Sequence, residues 1–156
     1  MKRLMAFAAC LLLASAFAMA QEQENVRIGG KGVLLARGEG QVRLAGSGIV
    51  HLKGTGLLVI AGVTEDQFRV EGFTLKSREG DRWTFEGEGH ATIRATRFGM
   101  EFDGKVALAA AGKGVANLRG KGVYKVRHPF GHWIRGEWSD DGVRLSYESP
   151  PPPRGR

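Results

Sequence analysis

Residues 30–62 read GKGVLLARGEGQVRLAGSGIVHLKGTGLLVIAG, and this stretch decides the fold class. Every even-numbered position in it is glycine or apolar, from Gly30 and Gly32 through Leu34, Val42, Val50 and Leu58 to Gly62. Every charge stands on an odd position: Lys31, Arg37, Glu39, Arg43 and Lys53. A period of two is the mark of strands with one dry and one wet face. A second rhythm overlies it. Gly-x-Gly recurs every eight residues, at Gly30, Gly38, Gly46 and Gly54, with Gly62 in phase. Each unit is then about five strand residues, near the usual strand length, plus a glycine punctuation. Three geometries satisfy that spacing: a three-residue hairpin loop, a corner of a wound solenoid, or a kink in a longer bent strand.

Working outward, Phe68 to Leu75 continues the alternation less strictly, and Ser77-Arg78-Glu79-Gly80-Asp81 is a polar turn cluster. FTLK-SREGD-RWTF therefore predicts a hairpin. Odd positions are dry from Trp83 to Ala95; the parity then flips, and even positions are dry from Phe98 to Val126. Gly104, Gly112 and Gly120 restore the eight-residue step. Ala107 to Ala111 has helical propensity, but the flanking glycines and sustained alternation favour strand. Further on, Ser139-Asp140-Asp141-Gly142 predicts a second hairpin, joining His132–Trp138 to Val143–Tyr147. The expected fold is all-β: a glycine-kinked, mostly antiparallel meander of short strands forming a barrel or sandwich, with a β-solenoid as the alternative.

The ends differ in character. Met1–Ala20 has the composition of a secretory signal peptide: Lys2 and Arg3, an apolar run from Leu4 to Phe17, and Ala18-Met19-Ala20 as a small-x-small cleavage site. The run is shorter than the ~20 residues that span a bilayer, so no membrane span is expected. The sequence thus predicts an exported protein, periplasmic or extracellular, with one domain over residues 21–148. Residues 149–156 form a Pro-rich basic tail with polyproline character. Cys10 is the only cysteine and lies in the leader, so the exported chain has neither disulfide nor thiol chemistry. Loss of Lys2 and Arg3 takes the basic count from 23 to 21 against 16 acidic residues, a net charge of about +5.

Catalytic and ligand motifs are absent from the pattern. Each Gly-x-Gly is followed by another strand, not by the helix that a phosphate-cradling loop requires. His128 and His132 have helical zinc spacing, but Pro129 and Gly131 put them in a loop, and no third ligand accompanies them. Glu86, Glu88, Glu101 and Asp103 read as solvated strand faces rather than an acid pair. Gly46-Ser47-Gly48 lacks the strand-to-helix context of a nucleophile elbow. No enzyme activity, cofactor or metal is expected.

The remaining signal is charge. From Gly104 to Arg135 no Asp or Glu occurs, and Lys105, Lys113, Arg119, Lys121, Lys125 and Arg127 share one parity. Together with Trp133 they are the candidate binding residues: a single positive face for an anionic envelope lipid or polysaccharide. Export disfavours nucleic acid as the partner. The alternative is a β-barrel that holds a small apolar ligand or lipid near Trp83, Trp133 and Trp138.

Overall fold

The computed structural model describes residues 32–127 and 132–147. The expected leader, the Pro-rich tail and His128 lie outside the described residues. Five strands follow in order: β1 (Gly32–Ala61), β2 (Phe68–Glu79), β3 (Arg82–Arg127), β4 (Ile134–Glu137) and β5 (Val143–Ser146). One 3-10 turn, Glu65–Gln67, precedes β2, opened by Thr64, whose backbone N–H donates to Gln67 Oε1 at 2.9 Å. The strand pairings are antiparallel throughout, apart from one isolated parallel bridge between Arg119 and Ser139.

The glycines are kinks, not hairpin loops. β1 runs 30 residues and β3 runs 46 without interruption. The short strands of the sequence pattern are successive passes of these two long ones. Their register reveals how. Leu34 pairs with Ala110 on one side and Val126 on the other, while Ala110 also pairs with Val50. Residues 34 and 50 of one unbroken strand therefore stand two strand positions apart. Sixteen extended residues cover about 53 Å, yet two strand positions are only about 10 Å. The strand must travel around a circuit and return. β1 and β3 thus form an antiparallel ribbon wound into a flattened coil, sixteen residues to the turn.

Eight residues are half a turn, so consecutive passes lie in opposite layers. Layer one contains residues 33–39 and 49–55 of β1, residues 88–95, 105–111 and 121–127 of β3, the start of β2, and β4. Layer two contains residues 41–47 and 57–61, residues 82–86, 97–103 and 113–119, the rest of β2, and β5. The pairing begins at β2 and ends at β4 and β5 without returning to its start. The result is an open sandwich, not a closed barrel. It joins the winding of a solenoid to antiparallel pairing.

The bends are rows of glycine. Gly120, Gly40, Gly104, Gly56 and Gly87 are paired one to the next across five passes, and all five have positive φ. At Gly40, φ is 146° and a Cβ would lie 2.1 Å from the Arg119 carbonyl oxygen. No side chain fits where a neighbouring carbonyl points into the bend. The opposite bend uses Gly48 and Gly112. There β3 turns instead by a bulge: Gly46 pairs with Phe98 but Gly48 pairs with Ala95. The extra residue in β3 reverses which parity faces inward, and this is the physical cause of the parity flip in the sequence.

Even positions of β1 and the matching positions of β3 fill the space between layers. Leu34, Val50 and Leu108 of layer one and Val42, Leu58 and Phe102 of layer two belong to one buried cluster. Each fully buried side chain of this kind contributes about 1.5–3 kcal/mol. Large rings occupy the room beside inward glycines: Phe102 against Gly54, Tyr147 against Gly114, Trp138 against Gly122. Trp83, met edge-on by Phe68 at 4.9 Å, closes the β2 end.

Of the two expected hairpins, the first is present: Glu79 pairs with Arg82 across Gly80-Asp81. The second is not. Gly142 N–H does donate to Ser139 O at 3.1 Å, closing a turn. But β4 pairs with residues 123–126 and β5 with residues 115–118, so they lie in different layers. The turn carries the chain past the bend at Gly120 rather than reversing it, because the exposed edge of β3 offers partners in both layers.

A candidate anion-binding face

Coil geometry decides which cations meet. Odd positions of β1, and of β3 beyond the bulge, point outward, but half of them leave from each layer. Lys105, Lys121, Lys125 and Arg127 stand on the outer face of layer one, and Trp133 follows onto it. Lys113 and Arg119 stand on the outer face of layer two. The single positive face expected from parity is therefore divided. Parity distinguishes inside from outside, whereas the layer changes every eight residues. Lys105 and Lys121 are sixteen apart and flank the same residue, Glu39. Lys113 is eight from each and is half a turn away.

The same rule adds further residues, two of them outside the sequence window. Arg37 and Lys53, sixteen apart in β1, flank Ala107 on layer one. Arg135 of β4 stands directly opposite Lys125. Acids on this face are few and partly spoken for. Glu39 sits between two lysines, Glu71 pairs with His90 at 2.8 Å, Glu88 stands opposite Thr55, and Glu137 follows Arg135 by two residues on β4. Layer two is more balanced. Glu101 binds Arg43 at 2.8 Å and approaches Arg82 at 4.0 Å, Glu86 faces Lys76 at 3.8 Å, and the Arg119 Nε–H donates to Asp140 O at 2.8 Å.

Within layer one's outer face lies a small apolar patch that alternation does not predict. Val33, Leu35 and Ala109 are buried although they point away from the core, and Trp133 packs over them. Val33 pairs with Ala111 and Leu35 with Ala109. The signal was present in the sequence. VLLA and VALAAA are apolar at both parities, as expected for strands covered on both faces. The Arg127 guanidinium lies 6.0 Å from the Trp133 ring centroid, within cation–π range.

His51 is on this face too, its Nδ1 3.1 Å from Thr92 Oγ1. Burial, with Arg94 adding to it, lowers its pKa, so it adds no charge at neutral pH. At the nearby bend, an open groove of ≈ 560 Å³ is lined by Lys121, Val123, Glu137 and Trp138 among others. The Trp138 indole N–H donates to Val123 O at 3.2 Å.

The tryptophans are spread over the coil. Trp83 closes one end of the coil, Trp138 lies by the opposite end, and Trp133 is outside. Among the described residues no three His, Cys, Asp or Glu side chains form a metal-binding set. Among them, too, no helix is long and apolar enough to cross a membrane. Comparison of the chain with protein-family models, with curated proteins and with solved structures gives no match.

Proposed function

We propose that this is a non-catalytic exported protein, periplasmic or extracellular, that associates with an anionic envelope surface or polymer through the outer face of layer one. The observation carrying the proposal is the register. It gathers Arg37, Lys53, Lys105, Lys121, Lys125 and Arg127 from four passes onto one side. Adjacent passes are about 4.8 Å apart, so these charges act together on an extended anionic partner. The leader composition supports export, and the lack of catalytic constellations in the sequence favours a binding role.

Two paired neutralisations test this. Lys105→Gln with Lys121→Gln alters layer one; Lys113→Gln with Arg119→Gln makes the same charge change on layer two. Each basic residue near an anionic surface contributes about 1 kcal/mol. Affinity for phosphatidylglycerol vesicles at low salt should fall roughly thirty-fold for the first pair, since 1.4 kcal/mol is about tenfold. It should change little for the second. Equal losses from the two pairs would remove the face assignment, and unchanged binding in both would remove the proposal.

A further inference from the structure

The basic face holds a cluster whose arrangement goes beyond a diffuse positive field. Lys125 and Arg135 are direct cross-strand partners, so their side chains emerge side by side on one face. Like charges so placed repel, and neither forms an ion pair within the described residues. The acid nearest in sequence, Glu137, stands opposite Val123, two steps along the ladder and on the same face, about 7 Å from Arg135 along the strand. Arg127 lies two residues from Lys125 on the same face, about 7 Å along the strand. Its guanidinium lies 6.0 Å from the Trp133 ring centroid. Lys125 and Arg127 are half-buried, which weakens solvent screening of their charge.

Resting on the surface-binding reading above, we propose that Lys125, Arg127 and Arg135 form a subsite for a phosphate monoester, with Trp133 as its wall. A phosphomonoester carries about −1.5 to −2 charge at pH 7 and three acceptor oxygens. That matches three neighbouring cationic side chains better than a singly charged carboxylate does. The arginine forks suit bidentate contact with phosphate oxygens, and stacking on an indole orients such a fork. Trp133 also seals Val33, Leu35 and Ala109, so these side chains are unavailable for insertion into a bilayer. The subsite recognises the charged group itself, borne on a lipid headgroup or free in solution.

Tryptophan fluorescence of the full exported chain is titrated at constant ionic strength with inorganic phosphate or glycerol 3-phosphate, against chloride. Vesicles containing phosphatidic acid are compared with phosphatidylglycerol vesicles of matched charge. Saturable binding of the free phosphates is expected, weakened at least tenfold by Arg135→Gln or Lys125→Gln and largely retained by Arg135→Lys. The Lys105→Gln/Lys121→Gln pair should shift it less than threefold. Far-UV circular dichroism checks that each variant is folded. A preference for phosphatidic acid identifies the headgroup as a source; free phosphate binding without that preference identifies a soluble one. A response no greater than that to chloride, or equal loss in the control pair, overturns the subsite. If phosphate fails while phosphatidylglycerol binding still depends on Lys105 and Lys121, the subsite falls and the broader reading stands. If phosphate binds through Arg135 but vesicles are ignored, the reverse holds.

Discussion

Gly40→Ala should be among the most damaging single-methyl additions this chain can receive. The new Cβ would lie 2.1 Å from Arg119 O and 2.9 Å from Gly120 Cα. An ordinary Cβ contact begins near 3.4 Å, so the Arg119 carbonyl would have to retreat by more than an ångström. That carbonyl is backbone in a paired strand and cannot swing aside. Holding alanine at φ of 146° costs about 1–3 kcal/mol. Breaking one or two ladder hydrogen bonds adds about 0.5–1.5 kcal/mol each. The sum is about 4 kcal/mol, against a total stability of about 5–15 kcal/mol for a typical domain. Two further glycines calibrate the measurement. Gly80 has φ of 61° with nothing within 4 Å of its Cβ position, so Gly80→Ala should cost only the left-handed penalty, about 1–2 kcal/mol. Gly99 needs no positive φ, and its nearest neighbour is 4.0 Å away. Gly99→Ala should be neutral or stabilising by up to about 1 kcal/mol. Urea unfolding followed by far-UV circular dichroism gives all three values. If Gly40→Ala falls within 1 kcal/mol of Gly80→Ala, the bend at Gly40 is not close-packed.

Two predictions concern titration. Burial lowers the His51 pKa, so between its folded value and the unfolded value near 6.5 the unfolded chain binds more protons. Stability should therefore rise with pH through that window and be lost as pH falls; His51→Gln should flatten the acid limb, and an unchanged slope would dismiss the effect. Burial raises the Tyr147 pKa well above its ordinary value of about 10, so the folded phenol resists ionisation. Above pH 10 the unfolded state loses its proton first, and stability should decline with pH. Tyr147→Phe should abolish that decline. Tyr147→Ala, by emptying the space over Gly114, should cost about 3–5 kcal/mol.

The sequence made the strands, their inward faces and the β2–β3 turn legible, because side-chain parity and the Gly80-Asp81 signal are local. What it left open was global. Gly38-Glu39-Gly40 has the same local signature whether the chain reverses, kinks or turns a corner. Only the pairing of Gly40 with both Gly104 and Gly120 distinguishes these. The same ambiguity misassigned the basic face. Lys113 and Lys121 share parity, but the half-turn between them sends them to opposite sides. Asp141-Gly142 likewise specifies a turn without specifying that its two arms find different passes of β3. The doubly apolar run at Ala107–Ala111 is the readable hint that one outer surface is covered.

Because one circuit consumes sixteen residues of each long strand, this architecture has a quantum of length. Duplicating a single octad in one strand would exchange upper and lower storeys for everything downstream and strand the glycines away from the creases. Duplicating sixteen residues in β1 and sixteen in β3 would leave every storey in place and make the tube one lap longer. Evolution by tandem duplication would then have an open ladder of permitted sizes, with the two caps, at Trp83 and at Trp138 with Tyr147, carried outward unchanged.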